Sequence, residues 1–134
     1  MTHMRCPPTL ELALGPITAV DLALYAAASG DLNPLHLDAD AARAAGFERP
    51  IAHGMRTMAC LGRLFTDRFG ATALRMLETR FVGSAKLGDS LVLRATLTHT
   101  EADAATYELS AQTSAGAPVA TGSARVTLAA ERAG

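Results

Sequence analysis

Asp31 and His36 lie five residues apart in the segment Ser29-Gly30-Asp31-Leu32-Asn33-Pro34-Leu35-His36. A carboxylate beside an imidazole can take a proton from water and return it, which is general acid–base chemistry. That spacing arises often by chance, so the setting matters more than the count. Gly30 permits a tight turn ahead of Asp31, while Pro34 fixes its own φ and holds Asn33 extended. A rigid irregular segment of this kind can aim two polar side chains in one direction. The competing reading makes Asp31 and Asn33 turn residues and His36 a structural histidine.

A second short stretch, Ala52-His53-Gly54-Met55, reads as the opening of a buried helix. The first N–H groups of a helix have no intrahelical partner and lie at the positive end of its dipole. A glycine there lets a ligand approach the backbone, so the Gly54 N–H could stabilise an oxygen gaining negative charge. The plainer alternative is that Gly54 only eases the chain into the helix and His53 bonds a backbone group nearby. Met55 and Met58 suit core packing, and are also candidate lining for an apolar pocket.

Other chemistries find little support. His36, His53, Asp31 and Asp38 match no standard metal-ligand spacing, so no metal is expected. A phosphate-cradling Gly-rich loop and a Gly-x-Ser-x-Gly elbow are both absent from the sequence. Cys6 and Cys60 form no metal or redox motif and are expected to be unlinked, with Cys60 a small core hydrophobe. His3 and His99 fall at chain or strand ends and are given no role. Arg43, Arg49, Arg56, Arg63 and Arg80 suit a solvated face, although one or two at a cleft mouth could meet phosphates.

The elements that must carry these residues follow from the pattern. Residues 1–16 read as a lead-in with one short strand around Leu10–Leu14, broken by Gly15-Pro16. Thr18 and Asp21 have capping-box form ahead of a helix over 19–28, with Gly30 as its stop. Asp38 caps a short helix, 39–45, closed by Gly46, and Pro50 fixes the connector 47–51. From His53 to Phe69 the pattern is helical, with Met55, Met58, Gly62, Phe65 and Phe69 drawing an apolar stripe. Gly62 would let that helix lie close on a sheet. Strands follow over 74–84, 91–98, 104–113 and 119–128, with a turn at 86–89, a hairpin at 114–118 and a tail over 129–134.

Helices followed by consecutive antiparallel strands give an α+β class, most simply a curved sheet wrapped around the long helix. At 134 residues, 49% hydrophobic and 4% aromatic, the chain is expected to form one domain with an Ala/Leu/Val/Met core. A net charge of −1 argues against nucleic acid or an anionic membrane as partner. The opening residues carry no signal-peptide run and no stretch approaches a membrane span, so a cytoplasmic protein is expected. Open sheet edges favour a homodimer.

Together these pieces resemble the MaoC-like hydratase/dehydratase family, which includes the (R)-specific enoyl-CoA hydratases. The family's first block has an aromatic residue, then Ser/Thr-Gly-Asp-x-Asn-Pro-x-His; here Tyr25 precedes Ser29, Gly30, Asp31, Asn33, Pro34 and His36. Gly46-Phe47 and Pro50-Ile51-Ala52-His53-Gly54-Met55 are similar to its second block. The resemblance implies a hotdog fold and reversible addition of water to a trans-2-enoyl thioester. By position it assigns Asp31 and His36 to the water and the Gly54 N–H to the thioester oxygen. Ser29, Gly30, Asn33, Pro34 and His53 support the site, and Tyr25, Met55 and Met58 are the candidate acyl pocket. It implies no cofactor beyond the substrate's own carrier, coenzyme A or an acyl carrier protein. It also implies a homodimer, or a heterodimer with a related subunit.

One block departs. Relatives often show Phe-x-x-Pro-Val-x-Pro-Gly-Asp, where this chain has Phe81-Val82-Gly83-Ser84-Ala85-Lys86-Leu87-Gly88-Asp89. A 3-hydroxyacyl-acyl-carrier-protein dehydratase of fatty-acid or polyketide synthesis would share every residue discussed. A hotdog thioesterase fits less well, because no Asp or Glu lies between Ile51 and Thr66 to direct water at the carbonyl. A non-catalytic acyl-thioester-binding or scaffolding subunit would have no use for both Asp31 and His36.

Overall fold

The fold was obtained as a computed structural model, in which residues 6–128 are described. Three α-helices and five strands run in the order β1 (Thr9–Leu14), α1 (Ala19–Ser29), α2 (Ala39–Ala44), α3 (Gly54–Phe69), β2 (Leu74–Phe81), β3 (Leu91–Thr100), β4 (Ala104–Thr113) and β5 (Pro118–Thr127). A single 3₁₀ turn, Pro34–His36, lies between α1 and α2. The strands form one antiparallel sheet in the order β1-β3-β4-β5-β2. The α+β hotdog expectation is thus met: α3 packs against a five-stranded antiparallel sheet.

The sheet's inner face is built from alternating small and large residues. Leu93, Ala95, Tyr107, Leu109, Ala124 and Val126 are all almost fully buried and meet Leu61, Leu64 and Phe65 of α3. Burying each of the larger side chains contributes roughly 1.5–3 kcal/mol. Tyr107 sits at the centre, edge-on to Phe65 at 5.4 Å, and its hydroxyl donates to the Pro7 carbonyl at 2.8 Å. Register shifts at Leu74/Met76, Leu97/His99 and Ala111/Gln112 are bulge positions, which bend a sheet and help it curve around a helix.

Local signals hold well on α1. Thr18 caps it, its hydroxyl accepting from the Asp21 N–H at 3.0 Å while Asp21 accepts from the Thr18 N–H at 2.9 Å. Gly30 ends it at φ 78°, a left-handed conformation that suits glycine. Asp38 caps α2 through the Asp40 N–H.

Several expectations need correction. The strand expected as a minor feature of the lead-in is a full edge strand, paired with β3 along its length. The strand expected to reach Ser84 stops at Phe81. Beyond it the backbone closes on β5 so tightly that a Cβ on Gly83 would stand 2.2 Å from the Pro118 oxygen. The stripe read on α3 is met at Gly62 and Phe65, which are buried together with Thr57, Leu61 and Leu64, but not at Met55, which is 58% exposed. Gly62 does face the sheet, but a Cβ there would meet Leu74 and Leu77 at an ordinary 3.7 Å, so the close approach does not demand glycine. Cys6 and Cys60 are unlinked. The expected tail over 129–134 and His3 lie outside the described residues, among which no helix is long and apolar enough to cross a membrane.

Candidate active site

The segment from Ser29 to His36 is shaped by its own short polar side chains. Ser29 Oγ accepts from the Asp31 N–H at 3.2 Å, Asp31 Oδ1 from the Asn33 N–H at 3.3 Å, and Asn33 Oδ1 from the Leu35 N–H at 3.2 Å. These successive local turns lead into the 3₁₀ turn, whose first position is Pro34, where a missing N–H costs nothing. The outcome is a fixed path from Asp31 to His36. Asp31 has one carboxylate oxygen tied to the backbone and the other, Oδ2, facing His36 Nε2 at 3.6 Å.

His36 is buried, and its other nitrogen settles its tautomer. Nδ1 lies 2.7 Å from the Ile51 carbonyl oxygen, which can only accept, so Nδ1 carries the hydrogen and Nε2 presents a lone pair. In the neutral ring Nε2 and Asp31 Oδ2 are therefore two acceptors 3.6 Å apart, with no hydrogen of their own to share. A water molecule between them would donate to both and keep its oxygen lone pairs free.

Gly54 opens α3, with His53 as its N-cap. Its N–H makes no hydrogen bond among the described residues, the first bonds to the cap carbonyl coming from Arg56 and Thr57. Gly54 and His36 line one cleft of about 250 Å³, together with Ala52, Thr57, Phe81, Ala85 and Val119. Thr57, Ala85 and Val119 are each at most 3% exposed and form its floor. A Cβ on Gly54 would stand 3.1 Å from Cζ of the Phe81 ring, so any larger residue here must displace the ring. An apolar hollow on the other side of His36 is lined by Ala19, Leu22, Ala23, Leu37, Pro50 and Leu87.

His53 was expected to meet a backbone group at the helix start. It meets one further away: Nε2 lies 3.1 Å from the Asp31 carbonyl oxygen, and its ring stacks on His36 at 3.8 Å with 22° between the planes. Tyr25 packs its ring 4.8 Å from that of His53, and neither Tyr25, Met55 nor Met58 lines the hollows beside His36. Phe81 and the floor residues Thr57, Ala85 and Val119 went unmarked in the sequence reading. Only Phe81 carried a signal there, as the aromatic residue opening the divergent block.

The block that lost both prolines is nonetheless anchored. The Ala52 N–H donates to the Ala85 carbonyl at 2.8 Å, the Leu87 N–H to Pro50 at 2.9 Å, and the Gly88 N–H to Ile17 at 2.8 Å. Asp89 Oδ2 accepts from the Lys86 N–H at 2.9 Å and closes the turn. Of the cationic side chains nearby, Arg49 is engaged by Asp89 and Arg56 by Asp21.

Sequence spacing gave no reason to group Asp31, His36 and His53, yet a ligand atom from each lies within 4.8 Å of the others. Coordination by both histidines would need lone pairs converging on one point about 2.1 Å from each nitrogen. Rings stacked 3.8 Å apart and inclined by only 22° keep their in-plane lone pairs in separate, nearly parallel planes, which do not converge on one such point. The arrangement suits proton transfer better than metal binding.

The MaoC like domain matches residues 9–117. The (R)-specific enoyl-CoA hydratase of Aeromonas caviae is 44% identical over 73 residues, 54% of this chain and 47% of that protein. The mitochondrial 3-hydroxyacyl-[acyl-carrier-protein] dehydratase of Arabidopsis thaliana is 33% identical over 72 residues, 54% of this chain and 43% of that protein. The chain spans less than half the length of the curated relatives it matches. Among solved structures, the (R)-hydratase of Aeromonas caviae involved in PHA biosynthesis superposes with a TM-score of 0.82 at 30% identity, covering 90% of this chain and 94% of that one. The sheet order, the fixed path from Asp31 to His36 and the match from the first strand to the last hairpin have one explanation: this chain belongs to the MaoC-like domain family.

Proposed function

We propose that this chain is a hydro-lyase that adds water reversibly across the double bond of a trans-2-enoyl thioester, giving an (R)-3-hydroxyacyl thioester. The observation carrying this is the pair of acceptors, Asp31 Oδ2 and His36 Nε2, 3.6 Å apart beside a cleft that also presents the start of α3. The similarity to (R)-hydratases supports the same reading.

In the proposed reaction the thioester carbonyl oxygen accepts the Gly54 N–H. A water held by Asp31 and His36 attacks C3, its O–H bond breaking as the C–O bond forms. Charge moves through C2 onto the carbonyl oxygen, where the helix N-terminus stabilises the enolate. The proton taken from water then returns to C2, so one water supplies both the hydroxyl and the hydrogen. The two groups are best treated as one proton-handling unit. Chemistry of this kind runs on the side chains and the backbone, without a cofactor.

The carrier of the acyl group is coenzyme A on this reading, with the acyl-carrier-protein dehydratase as the second reading, favoured by the Arabidopsis thaliana relative. Association with a second copy is proposed as well. Strand β2 is the last in the sheet, and its outer edge offers unpaired backbone groups that a copy of itself could pair.

The test is direct. Purified protein given crotonyl-CoA should remove the absorbance of the conjugated thioester with no release of thiol. Thiol release without hydration would instead mark a thioesterase.

A further inference from the structure

His53 meets both groups assigned to the water, the backbone of Asp31 and the ring of His36. It is 2% exposed, and its ring has three neighbours. One face lies on His36 at 3.8 Å, and Tyr25 packs at 4.8 Å with its ring tilted by 54°. One edge, Nε2, meets the Asp31 carbonyl at 3.1 Å. Through the chain itself His53 adjoins Gly54, and its carbonyl receives the first hydrogen bonds of α3.

The remaining ring atom is informative. Nδ1 is buried with no partner among the described residues. An unpaired buried acceptor is unfavourable, and native structures keep few of them, often at functional sites. Nothing about Nδ1 therefore accounts for the ring's orientation. The orientation follows from Nε2, which must carry the hydrogen because its partner is a carbonyl, and from the stack on His36.

Resting on the hydratase reading, we infer that His53 is a positioning residue for the water-holding pair. Its Nε2–H holds the backbone at Asp31, and its ring face holds the imidazole of His36. The 3.6 Å spacing between Asp31 Oδ2 and His36 Nε2 then depends on one side chain that reaches both partners from the start of α3. The same residue ties that spacing to the position of the Gly54 N–H, so both sides of the site move together. A misplacement of about 1 Å in a reacting geometry can cost about 10²-fold in rate, which sets the expected effect.

Three substitutions separate the two contacts. His53→Gln keeps an N–H donor at the position of Nε2 and loses the ring. His53→Phe keeps the ring face and loses the donor, and His53→Leu removes both. On crotonyl-CoA, His53→Leu and His53→Phe should each lose about 100-fold in kcat with KM within threefold of the unaltered protein. His53→Gln should recover to within about tenfold. Retention of kcat within threefold by both Leu and Phe variants would overturn the inference, as would a loss confined to KM.

Nitrogen NMR of the unaltered, imidazole-labelled protein gives an arm independent of turnover and of variant folding. It should show a protonated Nε2 and bare Nδ1 at His53, and the reverse at His36. The opposite tautomer at His53 would overturn the tether. Failure of the unaltered protein to hydrate any enoyl thioester would count against the hydratase reading, while the tautomers would still decide the tether.

Discussion

Replacing Gly54 with alanine inserts one methyl group between the start of α3 and the Phe81 ring. The new Cβ would stand 3.1, 3.2 and 3.3 Å from three ring carbons, where ordinary contact begins at about 3.4 Å. The ring must therefore retreat by a few tenths of an ångström, and at 45% exposure it has room to do so. Overpacking that cannot relax costs about 1–3 kcal/mol, but here relaxation is available. Alanine also gains up to about 1 kcal/mol over glycine in a helix. Stability should thus change by no more than about 1 kcal/mol, or about 4 °C in Tm at this chain length.

Activity should change far more. The methyl and the displaced ring narrow the approach to the Gly54 N–H, the one donor assigned to the developing oxyanion. Deleting such a donor costs about 10²–10³ in kcat, and crowding it should approach the lower figure. The assay is loss of enoyl-thioester absorbance alongside thermal unfolding, for Gly54→Ala, Phe81→Leu and the double variant. Since the clash is with the ring, the double variant should recover at least tenfold over Gly54→Ala. Gly54→Ala with kcat within threefold of the unaltered protein would refute the assignment of this N–H.

Three further outcomes test the scaffold. Gly122→Ala would set a Cβ 2.0 Å from the Glu78 carbonyl oxygen across β2 and β5, and backbone cannot yield as a side chain can. It should cost about 3 kcal/mol or more, read from the denaturant midpoint, or prevent folding. Hydrogen bonds with Thr18, aided by the charge of Arg56, hold the Asp21 carboxyl below its ordinary 3.8. A lowered folded-state value means stability present above the unfolded pKa and lost as pH falls through the folded one. Asp21→Asn should therefore destabilise modestly at neutral pH, the exposed site being screened by solvent, with the difference from the unaltered protein shrinking as pH falls through the lowered carboxyl pKa. Burial pushes the Tyr107 hydroxyl up to about 12. That raised value means stability present below the unfolded pKa of about 10 and lost as pH rises toward 12. Tyr107→Phe should cost about 1 kcal/mol at neutral pH for the bond to Pro7, and should show a shallower loss of stability between pH 10 and 12.

What the sequence disclosed was mostly what neighbouring residues decide among themselves. The turns from Ser29 to Leu35 are made by side chains bonding backbone two residues on, so Gly30, Asn33 and Pro34 could be read directly. The capping box at Thr18 and Asp21 is equally local. The antiparallel sheet against a long helix followed from period-two and helical patterns, with the strand ends less certain. Gly83 shows why: β2 stops where the chain meets Pro118, a neighbour 35 positions away, and nothing around Gly83 announces it.

The inward face of α3 was misjudged at Met55 for a different reason. Hydrophobicity favours Met55 and Met58, yet Thr57 is the residue buried against the cleft, and Met55 is left in solvent. Contacts within the site were equally hidden, although His53 and Gly54 had been marked. His53 reaches the Asp31 carbonyl across 22 positions and Phe81 meets Gly54 across 27, distances at which spacing carries no information. The fold brings these groups together by laying α3 between the Asp31–His36 segment and the end of β2.

The central claim, that Asp31 and His36 jointly hold and activate the water, is tested most directly by the hydration rate of crotonyl-CoA with Asp31→Asn and His36→Gln. Each variant should fold with an unchanged circular dichroism spectrum and lose about 10²–10⁴ in kcat. The double variant should be little worse than either single one, as expected of groups acting as a unit. Full activity in either folded single variant would contradict the account.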